Sequence, residues 1–153
     1  MTPTELRDLV FARLPAADDR GEQFVELRPD GVVVRLPHDD AHFGNETMAD
    51  GSRAVSGGVL MALADTSMYA ACLVVAGPDT MAVAASMTSS FLRAPQPRDL
   101  LAVATVRRRG RRLAYLDCEI TNADEYDDPP GATVARADGL IAHVVGTWAL
   151  RSR

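Results

Sequence analysis

Hydrophobic positions along this chain change period repeatedly, and each change marks an element. Thr2-Pro3-Thr4-Glu5, followed by Leu6, Leu9, Val10, Arg13 and Leu14, sets apolar residues three and four apart behind a capping threonine and a first-turn proline. That spacing predicts an amphipathic helix within residues 1–20. Phe24 to Arg28 and Val32 to Leu36 are β-rich runs around the turn former Pro29-Asp30-Gly31, which predicts a hairpin. Pro37 to Val55 has no period and reads as a long loop. Val59 to Val75 is apolar or small everywhere except at Asp65, Thr66 and Ser67. A surface helix would show one wet side, so the run predicts a buried helix over residues 56–76. Gly77-Pro78-Asp79 ends it. Beyond that point the pattern is β. Met81 to Leu92 alternates Ser86, Thr88 and Ser90 against Met87, Ser89 and Phe91, and Ala94-Pro95-Gln96-Pro97 closes it. Leu100 to Arg108 and Arg112 to Thr121 form a second hairpin, Asp124 to Gly131 an exposed turn, and Val134 to Leu150 the last strand.

A helix that is apolar around its whole circumference needs a wrapper. Six strands in this order supply one as a single long antiparallel sheet curled around the helix, an α+β fold. The 153 residues suit one domain over 1–153, with no linker, repeat or heptad to divide them. A bilayer span takes about 20 apolar residues and tolerates a central carboxylate poorly, so no membrane partner is expected. The net charge of −5 provides no long-range attraction for nucleic acid. Cys72 and Cys118 lack metal-ligand spacing and read as buried thiols, and His38 and His42 read as solvated loop residues, so no metal or cofactor is expected. Residues 1–21 lack the apolar stretch of a secretion signal, which makes the cytoplasm the expected compartment.

Chemistry concentrates at the central helix. Ser56 is a good N-cap, and Gly57 and Gly58 fill the first turn, where backbone N–H groups lack intrahelical partners and the macrodipole is positive. Either the pair merely makes a tight turn into the helix, or, without side chains, it lets a carbonyl or oxyanion approach. Asp65, in apolar surroundings, should have a raised pKa and so serve as a base. Eight residues separate Gly57 from Asp65, a rise of about 12 Å, so one helix cannot bring donor and base to the same carbonyl. A second copy running antiparallel can, which predicts a homodimer with shared sites, able to pair again into a homotetramer. Arg107, Arg108, Arg109, Arg111 and Arg112 surround one turn. Either they form a solvated hairpin tip, or Arg109, Arg111 and Arg112 hold a polyphosphate such as the nucleotide end of coenzyme A.

Val55 to Tyr69, V-S-G-G-V-L-M-A-L-A-D-T-S-M-Y, resembles the signature of the PaaI-like (phenylacetate-pathway) hotdog thioesterases: a Gly-Gly pair, then an apolar helix with Asp eight residues after the first Gly. Ser90 to Pro95, Gly110 to Leu113 and His143 to Trp148 resemble the family's later strands. The resemblance implies a hotdog fold and hydrolysis of an acyl-CoA thioester without a cofactor. It implies Asp65 as general base or nucleophile and the Gly57 N–H as carbonyl donor. Gly58, Ser86, Thr88 and Arg93 join the arginines as substrate-binding candidates. Ser56 stands where many members have His, and Asp50 where they often have Asn; an ionised Asp50 cannot donate to a carbonyl. Two other readings stay open: an acyl-CoA or aromatic-ligand binding protein without turnover, and an enoyl-thioester hydratase or dehydratase, which would call for an active-site His that the central helix lacks.

Overall fold

A computed structural model of the protein describes residues 1–123 and 139–152. The N-terminal helical stretch is two pieces rather than one, α1 (Pro3–Arg13) and α2 (Pro15–Asp19). Pro15 has no N–H to continue the ladder and pushes Leu14 out of the helical region, to φ −132° and ψ 73°. At the start of α1, Glu5 N–H donates to Thr2 Oγ1 and Thr2 N–H donates to the Glu5 carboxylate, a reciprocal cap.

The expected hairpin follows as β1 (Gln23–Arg28) and β2 (Gly31–Leu36). Gly31 is required there: a Cβ would stand 1.9 Å from the Ala104 carbonyl oxygen of the neighbouring strand. The stretch read as one long loop is more ordered than that. A 3-10 turn (Asp40–His42) leads into β3 (Phe43–Thr47), which pairs with β4 (Arg53–Val55) in a two-stranded sheet of its own. Strands of five and three residues are too short for an alternation to register.

The central helix α3 spans Gly57–Ala76 and ends on Gly77, whose φ of +99° suits a residue without a side chain. After it come β5 (Thr80–Phe91), β6 (Leu100–Arg109), β7 (Leu113–Asn122) and β8 (Ala142–Ser152). The turn expected over 124–131 and the start of the last strand at 134 lie outside the described residues. Six strands form one antiparallel sheet in the order β1-β2-β6-β7-β8-β5, curled around α3 as a hotdog fold. Leu63, Met68 and Leu73 of α3 pack in one core with Val32, Val34, Leu116, Ile120, Val144 and Trp148 of the sheet.

The sheet does not enclose all of α3. Thr66 to Leu73 are buried without a break, whereas Gly58 and Met61 are exposed and Gly57, Val59, Ala62 and Asp65 only partly covered. The expectation that the whole circumference is hidden therefore holds for Thr66 to Leu73 alone. By length and composition this helix could cross a membrane; its packing against the sheet is that of a core helix.

Candidate active site

The open half of α3 begins at a well-formed cap. Ser56 Oγ accepts from Gly58 N–H at 3.2 Å, and Val59 and Leu60 N–H both donate to the Ser56 carbonyl. Among the described residues no acceptor meets the Gly57 N–H, as a first-turn position dictates. A cavity of about 360 Å³ lies at this end, lined by Val55, Gly57, Leu60, Phe91, Arg93 and Pro95 among others. A side chain on Gly57 would start 3.4 Å from the Phe91 ring, so glycine leaves that space to an incoming group. Arg93 Nη2 donates to the Gly139 carbonyl from the same wall.

Asp65 sits two turns further along, beside a second cavity of about 380 Å³ lined by Arg13, Leu14, Tyr69, Ala82, Val83, Ala84 and Trp148. The two cavities share no lining residue. Burial pushes the Asp65 carboxyl above the usual carboxylate range, opposed by the positive charge of Arg20. Tyr69 and Trp148 wall this space with rings 6.0 Å apart, and Arg13 donates to the Tyr69 hydroxyl and to the carbonyls of Pro78 and Thr80, tying α1 across it.

β5 runs beside α3 and places its side chains by register. Ala82 pairs with Leu150 and Ala84 with Trp148, both helix-facing partners, so even-numbered positions begin on the inner face. A bulge at Ala85 then shifts the count: Ser86 pairs with Thr147, Met87 with Gly146, Thr88 with Val145 and Ser89 with Val144. Met87 and Ser89 consequently face α3, while Ser86 and Thr88 turn to the opposite face of the sheet and line neither cavity. This corrects their expected place beside the site. Gly146 makes the crossing possible, since a Cβ there would meet Met68 Cε at 2.8 Å and the Ser86 carbonyl oxygen at 3.0 Å.

Other expected residues lie apart. Asp50 is exposed in the β3–β4 turn, where its Oδ1 accepts from Ser52 N–H at 2.9 Å and from Ser52 Oγ at 2.6 Å. Those bonds hold its carboxyl below the usual range, so it is an anion and cannot donate. The arginine run occupies the β6–β7 tip at the C-terminal end of α3. Arg107 is paired with Asp117, Arg109 Nη1 donates to the Val75 carbonyl at 3.2 Å, and Arg108, Arg111 and Arg112 are exposed. Cys72 and Cys118 are buried thiols, and burial pushes Cys72 up to about 12.

Arg20 and Glu22 were not legible as part of the site. Arg20 Nε donates to Glu22 Oε1 at 2.7 Å and Arg20 Nη2 to Thr66 Oγ1 at 3.0 Å, which brings a guanidinium and a second acid to the residue following Asp65. In sequence they are ordinary polar residues at a helix–strand junction, and no spacing distinguishes them.

Comparison with known proteins agrees with this architecture. The thioesterase superfamily profile matches residues 53–127, which include the cap, α3 and the three strands that follow. Among solved structures, the chain is similar to the PaaI protein of the Escherichia coli phenylacetic acid degradation operon, with 21% identity, 98% of this chain and 94% of that one covered, and a TM-score of 0.75. It is similar to a thioesterase from Haemophilus influenzae (18% identity, 99% and 92% covered, TM-score 0.78) and to a thioesterase family protein from Silicibacter pomeroyi (20%, 97% and 96%, TM-score 0.74). No curated protein matches the sequence. The resemblance to PaaI-like hotdog proteins read from the sequence is borne out.

Proposed function

We propose that this chain, whose residues 53–127 match the thioesterase superfamily profile, hydrolyses an acyl-CoA thioester at sites shared between two copies. The observation that carries the reading is the open stripe of α3, with the Gly57 N–H at one end and the raised Asp65 carboxyl at the other, each beside its own cavity. The thioester oxygen accepts from the Gly57 N–H, where the helix dipole favours the developing negative charge. Asp65 of the partner subunit takes a proton from water as the water oxygen bonds to the carbonyl carbon. Collapse of the tetrahedral species breaks the C–S bond, and the thiolate leaves to be protonated by solvent. A thioester suits such sparse machinery because its carbonyl has little resonance with sulfur and thiolate leaves readily.

The dimer follows from spacing. Gly57 and Asp65 are about 12 Å apart along the axis, too far to act on one carbonyl. β5 ends the sheet with its outer edge unpaired among the described residues, and Met61, Phe91 and Leu92 are apolar and exposed beside it. A second β5 laid antiparallel along that edge would continue the sheet and set the two helices side by side in opposite directions. The arginine tip lies about 15 Å beyond Asp65 along α3, on the side away from Gly57. There Arg111 and Arg112, with Arg109 behind them, can take the phosphates of the nucleotide end. A hydratase reading is less well supported, since no histidine lines either cavity.

Thiol release from a panel of acyl-CoAs tests the reading, with Asp65→Asn as the control. Hydrolysis that the variant loses supports it; a panel without turnover leaves the protein a ligand binder, and a fully active variant removes Asp65 from the chemistry. A single turnover in 18O water identifies a nucleophile by label in the Asp65 carboxyl, left when water opens the aspartyl–acyl anhydride at the Asp65 carbon; a general base puts the label in the acid product and none in Asp65.

A further inference from the structure

A hidden charge cluster stands behind Asp65. Arg20, at the end of α2, donates through Nε to Glu22 Oε1 at 2.7 Å, lies 2.6 Å from it through Nη2, and spends Nη2 also on Thr66 Oγ1. The Glu22 side chain has no exposed surface, and its Oε2 has no hydrogen-bond partner among the described residues. Thr66, almost fully buried, is the residue next to Asp65 on α3. The charge of Arg20 acts on both carboxyls, and the charge of Asp65 acts directly on Glu22 as well. The other titratable groups around Asp65 are Arg13 of α1 and Tyr69 of α3; β5 and β8 contribute none to its cavity. Arg13 is occupied by the Tyr69 hydroxyl and the carbonyls of Pro78 and Thr80.

A strut holding α2 to α3 would need only the Arg20–Thr66 bond. A wholly buried carboxyl is a costly addition to it, because a buried ion pair rarely repays its desolvation. We infer that Glu22 is a positioning residue for Asp65: the charge on the hidden carboxyl, acting directly and through Arg20, decides how strongly Asp65 is held as an anion. When Glu22 is ionised it neutralises Arg20 and repels the Asp65 anion, which leaves Asp65 a stronger base. When Glu22 carries a proton, Arg20 is free to stabilise the Asp65 anion, and the base weakens. Burial pushes Glu22 up to about 7, against the pull of Arg20, so the exchange falls near neutral pH. The two acids then titrate as a pair.

The inference rests on the reading of Asp65 as the working base, but its test does not need turnover. Carboxyl 13C shifts of Asp65, assigned with Asp65→Asn, are followed against pH in the dimeric protein and in Glu22→Gln. The Asp65 carboxyl should show its own midpoint and a second inflection near pH 7, where Glu22 loses its proton; Gln keeps the shape and cannot ionise, so Glu22→Gln should abolish that second inflection. Arg20→Gln should raise the Asp65 midpoint, with proton binding at least about threefold tighter. General loosening does not remove one inflection and leave the other. A second inflection that persists in Glu22→Gln overturns the inference, and if that variant does not fold, an unmoved midpoint in Arg20→Gln does so. The acid limb of kcat/KM for the best acyl-CoA should shift with the 13C midpoint. If the midpoints move but no acyl-CoA is hydrolysed, the coupling stands and the thioesterase reading fails.

Discussion

The two halves of α3 are equally apolar and are treated differently by the fold. Thr66 to Leu73 are buried by the chain's own sheet and N-terminal helices, and the polar groups there are consumed internally: Ser67 Oγ donates to the Leu63 carbonyl at 2.7 Å, and Thr66 accepts from Arg20. Gly57 to Asp65 carry the same kind of sequence but leave Gly58 and Met61 in the open and the Gly57 N–H without an acceptor among the described residues. One half is core because the sheet makes it so. The other keeps Leu60, Leu63 and Ala64 in the core but leaves one stripe uncovered, and that stripe holds both groups of the proposed chemistry. Apolar surface left open beside functional groups points to a partner and a ligand rather than to solvent.

The largest effect expected from breaking this contrast falls on the open half. Asp65→Asn should lower kcat at least about a thousandfold, roughly 4 kcal/mol, with an unchanged circular dichroism spectrum. The pH profile gives the sign. A carboxyl raised by burial is ionised only above its raised pKa, so kcat/KM should climb with pH through a midpoint higher than that of an ordinary aspartate, about 3.9. A midpoint at or below the ordinary value would contradict the reading.

Next come paired substitutions that set the halves against each other. Leu73→Ala in the closed half opens a cavity and should cost about 3 kcal/mol at any protein concentration. Met61→Asp in the open half places a charge at the proposed dimer surface and should cost about 2 kcal/mol, visible as dissociation in sedimentation and as a melting temperature that no longer rises with concentration. If both behaved alike, the two halves would not differ in what covers them.

A smaller effect is expected at the far end of the helix. Replacing Arg109, Arg111 and Arg112 with Ala should raise KM for acyl-CoA about tenfold, roughly 1.4 kcal/mol, and leave kcat nearly alone, because such contacts are equal in ground and transition states. The effect should shrink as salt rises. An unchanged KM would make the tip a solvated turn.

The contrast also explains what the sequence could tell. The core helix, its cap, the candidate Asp65 and the six-stranded wrapping were legible because burial imposes a period on long elements, and an acid inside an apolar run stands out against it. The placement of Ser86 and Thr88 was not, because a single extra residue at Ala85 exchanges the faces of everything after it, and alternation by itself carries no mark of where the count slips. The short β3–β4 pair was hidden by its length. Arg20 and Glu22 were hidden because their role depends on α2 folding back onto α3, a tertiary contact that no local spacing encodes.

The central claim, that donor and base for one thioester come from different subunits, is tested most directly by mixing. Asp65→Asn subunits are unfolded and refolded together with Gly57→Pro subunits, in which the first-turn N–H is absent at a position where proline is tolerated. Each variant alone should be inactive. A mixed dimer carries one intact site and one doubly damaged site, so a statistical mixture should regain about a quarter of wild-type turnover per subunit, half the dimers being mixed and each holding one site of two. Recovery near that level is the predicted result; no recovery, with mixed dimers shown by mass spectrometry to have formed, would contradict it.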